Sequence, residues 1–164
     1  MIVILIIFIT SISFSTSYSQ KRKLDLKALN VFPFQKRGMD YIKQGQYDKA
    51  EEEFKKALKI DLSKSYVWTW SESHFGLGLA YAYQHKFNEA EIEFKIAIEI
   101  QPEYSDVYYS LTSIYALQKK YSLSIEYLEK ALQKGYKDFE FIKNDIDLTN
   151  IKDDAKFKKM MAGR

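Results

Sequence analysis

The chain of 164 residues contains no cysteine. This absence excludes disulfides, thiol catalysis, lipid attachment at a cysteine and thiolate metal sites, and it indicates no particular redox compartment. The excess of positive charge is also small, with a formal net charge of +3 at pH 7. Such an excess does not by itself indicate binding to nucleic acid, so we expect no nucleic-acid partner.

Residues that carry catalysis or bind metals are scarce. Of the two histidines, His74 takes a packing position of a helix and His85 falls in a turn. No Gly-x-Ser-x-Gly, phosphate-binding loop or His-Glu-x-x-His motif occurs, and Asp145 and Asp147 lack the glycine and the further oxygen ligands of a calcium loop. Acidic runs such as residues 51–53 are interpreted as solvated helix surface. We therefore expect no enzymatic activity, no cofactor and no metal.

Residues 74–102 predict two helices packed against each other. Gly78 and Tyr81 belong to a set of small and apolar residues that recur at three- and four-residue steps, the period of one helical face. The pattern breaks, resumes through Phe94, and ends before Pro102, which cannot continue a helix. The mixture of small and large side chains suits two helices that approach each other closely.

Polar residues at the ends of these runs predict helix caps. Asn88 and Asp48 are predicted N-caps, because Glu91 and Glu51 follow three residues later as in a capping box. Gly135 is a predicted C-cap, since glycine adopts the left-handed conformation that ends many helices.

The order Leu-Gly-x-x-Tyr, Ala, Phe, Ala and Pro within residues 71–104 resembles the tetratricopeptide repeat, a unit of about 34 residues. Equivalent residues earlier and later in the chain assign two further units, 31–64 and 105–138. The third unit is the most degenerate, with Thr112 and Ser124 in place of glycine and alanine. The residues that the motif assigns to packing between helices are Gly38, Tyr41, Ala50, Phe54, Ala57, Gly78, Tyr81, Ala90, Phe94, Ala97, Pro102, Leu111, Tyr115, Leu128 and Ala131.

The resemblance implies an all-α fold, an α-solenoid in which three antiparallel helix hairpins stack into a right-handed superhelix. Residues 139–164 do not begin a fourth unit and are similar to the Asp-rich tail that closes many bacterial proteins of this family. Their short apolar segments predict a cap of short helices on the last hairpin. Aspartates such as Asp145 and Asp154 are the predicted N-caps of these helices.

Residues 65–70 are an insertion between the first two units and contain both tryptophans. Two structures fit this insertion: the first helix of the second unit begins earlier, or a loop precedes it. Trp68 is predicted to pack on the first unit. The alternative is that Trp68 and Trp70 form an aromatic lip of a binding groove, because exposed aromatic side chains are effective anchors.

Residues 1–19 resemble a secretory signal peptide. An apolar run is followed by hydroxyl-rich residues and a small-x-small site that would leave Gln20 as the first mature residue. The start carries no lysine or arginine, and an uncleaved membrane anchor or a buried helix are the alternatives. A signal peptide or an anchor predicts export to the periplasm, the cell envelope or the medium, although the basic residues 21–23 would favour a cytoplasmic C-terminus for an anchor.

Residues 20–30 are interpreted as a solvated basic linker. Its positive charges come from Lys21, Arg22, Lys23 and Lys27. The alternative is a weak attraction to anionic lipid head groups, which would make the N-terminal segment a membrane contact.

The resemblance further implies a groove, lined by the first helix of each unit, that binds a peptide or a partner helix. One subgroup of the family clamps a C-terminal carboxylate with lysine and asparagine at fixed groove positions. Those positions hold other residues here, so no such clamp is expected. The residues assigned to the groove are Gln35, Met39, Ile42, Lys43, Glu72, Phe75, Leu79, Tyr83, Asp106, Tyr109 and Ser113.

The favoured hypothesis is a non-catalytic protein–protein interaction scaffold in the cell envelope that binds a protein through Phe75, Tyr83 and Tyr109. One alternative is an accessory module that binds small molecules or glycans with Trp68 and Trp70. Another is an assembly factor that self-associates. Three units and a cap can be stable alone, so a monomer is expected.

Overall fold

A computed structural model describes residues 30–60 and 67–163. These two segments are helical and contain no strand, which confirms the predicted all-α helical-repeat solenoid. The helices are α1 (30–43), α2 (Tyr47–Leu58), α3 (Val67–Tyr83), α4 (Phe87–Ile100), α5 (Ser105–Leu117), α6 (Tyr121–Gln133), α7 (Phe139–Asn144), a 3-10 helix (Ile146–Ile151) and α8 (Ala155–Met161). The predicted signal peptide over 1–19 and all but the last residue of the linker over 20–30 lie outside the described residues.

Successive helices pack on one another along the chain, α2 on α3, α3 on α4, α4 on α5 and α5 on α6. Of the residues predicted to pack the units, Tyr41 and Tyr81 are half-buried and Pro102 is exposed. Pro102 contributes by ending α4 at Ile100 rather than by burying its ring. The fully buried members are Gly38, Ala50, Phe54, Ala57, Gly78, Ala90, Phe94, Ala97, Leu111, Tyr115, Leu128 and Ala131. In this part of the chain, no helix is long and apolar enough to cross a membrane.

Phenylalanine rings lie against glycines at the joints between helices. A Cβ at Gly38 of α1 would lie 2.7 Å from the Phe54 ring, and one at Gly76 of α3 would lie 2.2 Å from it. Gly78 has the same relation to Phe94, at 2.5 Å. Any side chain at these glycines would overlap the ring, so glycine is required for the helices to approach this closely.

The helix pairs are joined by one type of backbone turn. The turn residues with positive φ are Gly45 (69°), His85 (59°) and Lys119 (60°). In each turn the following amide donates to the carbonyl of the repeated tyrosine, at distances of 2.9, 2.9 and 2.8 Å for Tyr41, Tyr81 and Tyr115. This is the Schellman arrangement, in which backbone carbonyls at the end of a helix accept hydrogen bonds from the residues after it.

These turns explain why the N-cap predictions for Asp48 and Asn88 are wrong. Helices α2 and α4 begin at Tyr47 and Phe87. Their N-cap residues are Gln46 and Lys86, two positions before the predicted caps, and neither makes a side-chain cap hydrogen bond. The Schellman turn leads directly into the helix, so the cap position falls on its last residue. Because Glu51 and Glu91 do not serve a capping box, their carboxylates are available for contacts between units.

Glu51 and Glu91 link successive units through equivalent contacts. Glu51 accepts hydrogen bonds from Gln84 (3.1 Å) and Lys86 (3.3 Å) at the end of α3, and Glu91 lies 3.9 Å from Lys120 after α5. Burial raises the pKa of each carboxyl, but hydrogen bonds from neighbouring side chains, led by the lysine one helical turn along the same helix, outweigh it. The net pKa of each is therefore lowered.

The acidic run at residues 51–53 is not uniformly solvated, which corrects its interpretation as surface. Glu53 is only 7 % exposed. It accepts from Arg37 Nε of α1 and from Lys56 Nζ, both at 2.6 Å. Its carboxylate therefore joins the two helices of the first unit.

Short helices close the last hairpin. Asp138, Asp145 and Asp154 are the N-caps of α7, the 3-10 helix and α8, each accepting a backbone N–H, which confirms the N-cap prediction for the last two. Gly135 has φ of 97°, as a C-cap requires. The residues of these helices that are buried with α5 and α6 are Ile142, Leu148, Ile151 and Phe157.

Candidate functional site

A cavity of about 700 Å³ lies between the first helices of the first two units. We call it the α1–α3 cleft. The residues that line it are Phe32, Pro33, Gln35, Lys36, Met39, Phe54, Glu72, Phe75 and Tyr104. Most of these side chains are apolar or aromatic, and the buried ring of Phe54 belongs to the core beneath.

The cleft brings together four of the residues predicted for the groove, namely Gln35, Met39, Glu72 and Phe75. Phe75 is half-buried, with ring centroids 5.8 Å from Phe94 and 5.1 Å from Tyr104. These contacts hold the ring in place at the wall of the cleft. A rigid aromatic wall is suited to receive an apolar side chain.

The other predicted residues of α1 and α3 lie outside the cleft. Ile42 and Leu79 are half-buried and pack against the core, while Lys43 is exposed. Tyr83 is 51 % exposed and stacks on Tyr47 at the start of α2, with centroids 5.0 Å apart. Tyr83 therefore lies at the turn end of the unit.

Gln35 is part of the joint between α1 and α3. It is only 8 % exposed, and its Nε2 donates to the Thr69 carbonyl (2.8 Å) and to Ser73 Oγ (3.0 Å). Both amide hydrogens are therefore used inside the fold. Gln35 shapes the cleft by fixing α1 against α3.

Glu72 is the acidic group of the cleft. Its side chain is half-buried, and no hydrogen bond or ion pair engages it within residues 30–60 and 67–163. Burial raises the pKa of its carboxyl. The pKa of the Tyr104 hydroxyl is also raised, first by burial and then by the negative charges of Glu72 and Asp106.

The corresponding surface of the third unit is covered by the C-terminal part of the chain. The 3-10 helix packs on α5. Tyr109 is only 6 % exposed; its hydroxyl donates to Asp145 Oδ2 (2.5 Å) and its ring stacks on Tyr136 with centroids 4.4 Å apart. The expectation of one open face through Phe75, Tyr83 and Tyr109 is therefore wrong, because intramolecular contacts occupy Tyr109.

Asp106 and Ser113, also predicted for the groove, lie on α5 outside the cleft. Asp106 is exposed, and its carboxylate accepts from Ser105 Oγ (3.3 Å). The hydroxyl of Ser113 donates to the Tyr109 carbonyl (3.5 Å) one turn earlier. The third unit therefore adds neither residue to the cavity.

The tryptophans of the insertion do not form a common lip. Helix α3 begins at Val67, so Trp68 and Trp70 lie in its first turn and not in a loop. Residues two apart on a helix face different sides. Trp68 is 43 % exposed and packs on Phe32 of α1, whereas Trp70 is 44 % exposed and packs on His74.

Histidine and acidic residues form local pairs. His74 Nδ1 lies 2.6 Å from a Glu93 carboxylate oxygen, which joins α3 to α4, and His85 occupies the turn between them. Among the described residues, no group of three or more His, Asp or Glu side chains is arranged to hold a metal ion.

Four lining residues of the cleft were not assigned to it from the sequence, namely Phe32, Pro33, Lys36 and Tyr104. The first three lie on α1 with Gln35 and Met39. The three- and four-residue spacing would have placed Phe32 and Lys36 on the same helix face as Met39. Tyr104 precedes α5 in the connection after the second unit. No helical periodicity predicts where a side chain of that connection lies.

Comparison with family models identifies the repeat. Models described as "Tetratricopeptide repeat" match residues 32–63, 71–104 and 105–133, and together they cover more than half of the chain. A comparison with curated proteins finds no significant match. With its paired helices and three matched repeats, the chain belongs to the tetratricopeptide repeat family.

Proposed function

We propose that this protein is a non-catalytic scaffold that binds a protein partner through the α1–α3 cleft. Tetratricopeptide repeats generally mediate binding to protein partners, and the family is generally non-catalytic. The observation that carries the proposal is the cavity of about 700 Å³ between the first helices of two repeats, with apolar and aromatic walls. Such a cavity accommodates several side chains of a peptide or of a partner helix.

The cleft favours recognition by inserted side chains. All of its lining residues except Tyr104 belong to helices. Helical backbone groups are engaged in their own hydrogen bonds, so strand addition to the walls is not available to a partner. Met39, Phe75 and Tyr104 instead offer apolar surface, on which one or two anchoring residues of the partner would contribute most of the binding energy.

The test compares two variants that place a lysine on different surfaces. Met39→Lys adds a charge inside the cleft, whereas Ile92→Lys adds the same charge on α4, where Ile92 is 58 % exposed. Co-purification from native-host cells is expected to recover the partner with the wild type and with Ile92→Lys but not with Met39→Lys. Circular dichroism checks the fold, and Met39→Ala replaces Met39→Lys if the latter is unfolded. Equal recovery with all variants would contradict binding in the cleft.

We also propose that the scaffold acts in the cell envelope as a monomer. The resemblance of residues 1–19 to a signal peptide supports export. Mass spectrometry of the protein from its host is expected to find Gln20 at the mature N-terminus. A protein that still begins at Met1 in the membrane fraction would favour the anchor, and light scattering that shows concentration-dependent mass would favour the self-associating factor.

A further inference from the structure

We infer that the α1–α3 cleft selects a partner segment in which a lysine or arginine follows a large apolar residue by one helical turn, with Glu72 receiving the positive charge. The inference rests on the proposed function and specifies its ligand chemistry. The apolar residue would contact Met39 and Phe75, and the cation would reach the carboxylate beside them. Since Glu72 and Phe75 are three residues apart on α3, they lie on one face of the helix.

Glu72 is a partly buried acidic group in the wall of the cleft. Its carboxylate is half-buried in a largely apolar wall and has no hydrogen-bond or ion-pair partner in the part of the chain that the structure describes. A carboxylate that is partly removed from water and unpaired is destabilised relative to one paired with a cation. A ligand that supplies an ammonium or guanidinium group removes this disadvantage.

The other acidic side chains that reach between helices contrast with Glu72. Glu51 and Glu53 accept hydrogen bonds from lysine or arginine, and Glu91 is paired with Lys95. Each of these three carboxylates is therefore paired with a lysine or an arginine. Within residues 30–60 and 67–163, no lysine or arginine pairs with Glu72, which lines the cavity.

Lys36 is the other charged residue of the cleft, and it does not reverse the preference. Its side chain is exposed on α1, where water and salt screen its field. The half-buried Glu72 lies in a medium of lower effective dielectric constant and interacts more strongly with a bound charge. In the described part of the chain, Lys36 and Glu72 do not form an ion pair, so the carboxylate is open to a ligand.

The aromatic rings near Glu72 provide a second source of attraction. Glu72, Phe75 and Tyr104 line the same cleft, and the ring centroids of Phe75 and Tyr104 lie 5.1 Å apart. A cation held by the carboxylate in this position would also lie near aromatic faces, which attract positive charge. An anionic side chain would be repelled by both features.

The experiment measures binding of short fluorescent peptides to the purified protein by anisotropy. The peptides share a neutral alanine–serine background with one leucine, followed one helical turn later by lysine, glutamine or glutamate. The lysine peptide is expected to bind about fivefold more tightly than the glutamine peptide, the effect of roughly one charge pair near a protein surface. The glutamate peptide is expected to bind most weakly.

Two variants assign the preference to Glu72. Glu72→Gln keeps the shape of the side chain and is expected to bind the lysine and glutamine peptides equally. The matched control Glu99→Gln removes an exposed carboxylate of α4 and is expected to keep the fivefold preference. Equal binding of all three peptides to the wild type, or a preference that survives in Glu72→Gln, would overturn the inference and leave the scaffold function intact.

A fourth peptide tests whether the chain covers its own cleft. Residues 20–29 contain four basic residues and three leucines, so a peptide of this sequence is included. If only this peptide binds, the occupant is the chain's own segment and the inference about a partner is overturned. If no peptide binds while co-purification still depends on Met39, the scaffold function stands and the ligand chemistry proposed for Glu72 is wrong.

Discussion

The first-helix surface of this solenoid differs between its two ends. At the first end, the cleft between α1 and α3 is an open cavity of about 700 Å³. At the other end, α5 is covered by the 3-10 helix, and Tyr109 is held under Tyr136 and Asp145. The same kind of helix face is thus a candidate binding surface in one place and interior in the other.

The difference shows that repeat register alone does not decide which residues are available to a partner. Phe75 and Tyr109 both lie on the first helices of their units, and both are aromatic. Phe75 borders a cavity, whereas Tyr109 is buried by segments that follow the repeats. The chemistry of the neighbouring segment decides the outcome: Asp145 provides an acceptor for the Tyr109 hydroxyl at 2.5 Å.

The largest expected effect comes from removing the ring beneath the open end. Phe54 is 1 % exposed and lies against glycines of both α1 and α3. Phe54→Ala is expected to lower the free energy of unfolding by about 3–5 kcal/mol, because it leaves a cavity between the first two units. Urea unfolding followed by the fluorescence of Trp68 and Trp70 on α3 measures it; a loss below about 1 kcal/mol would contradict the role of the ring.

A smaller loss of stability is expected when the contact between the two helices of the second unit is replaced by the residues of the third unit. Thr112 and Leu128 stand where the second unit has Gly78 and Phe94. Gly78→Thr alone is expected to cost about 2 kcal/mol, because its Cβ would lie 2.5 Å from Phe94. Adding Phe94→Leu is expected to restore part of the loss, which a double-mutant cycle measures; strictly additive effects would contradict the pairing.

At the covered end, Tyr109→Phe removes the hydroxyl that donates to Asp145. Hydrogen bonds to charged groups contribute about 1.5 kcal/mol or more, so we expect a loss of this size and faster amide hydrogen exchange in the 3-10 helix. Tyr83→Phe, at an exposed tyrosine, is the matched control and is expected to change neither quantity. Unchanged exchange in Tyr109→Phe would show that the covering segment does not depend on this contact.

The smallest effect concerns the acidic links between units. The pKa values of Glu51 and Glu91 are lowered below 4.5. Their stabilisation is therefore fully present above the unfolded-state pKa and is lost as the pH falls through the lower folded-state values. These carboxylates are partly exposed, so each link contributes at most about 1 kcal/mol. Urea unfolding from neutral to acidic pH is expected to show a smaller loss of stability in Glu91→Gln than in the wild type. Identical pH profiles would contradict a stabilising role of the Glu91 carboxylate.

The helical spacing of apolar residues and the residues that end helices predict most of the fold. The apolar pattern around Gly78, Tyr81 and Phe94 predicts a helix pair, and Pro102 predicts its end, because these features depend on local geometry. The predicted caps at Asp48 and Asn88 fail for a local reason as well. The Schellman turn that ends the preceding helix leads directly into α2 or α4 and fixes where each begins. Propensity for a side-chain cap does not reveal such a turn.

The candidate site is only partly predictable because it depends on contacts between distant segments. Met39, Glu72 and Phe75 follow from helix register. The position of Tyr104 depends on how the connection before α5 folds against α3, and the covering of Tyr109 depends on a segment more than two helices later. Trp68 and Trp70 illustrate the same limit, since only the early start of α3 at Val67 places them on different sides of a helix.

The most direct test of the account uses methionine methyl groups as reporters at the two ends. Met39 lines the open cleft, while Met160 and Met161 pack against the C-terminal core. In protein labelled with ¹³C at methionine methyls, and with Met39 assigned through Met39→Leu, titration with the leucine–lysine peptide is expected to shift the Met39 signal and leave those of Met160 and Met161 unchanged. Shifts at Met160 and Met161 with an unmoved Met39 would contradict the claim that the open end of the solenoid is the binding site.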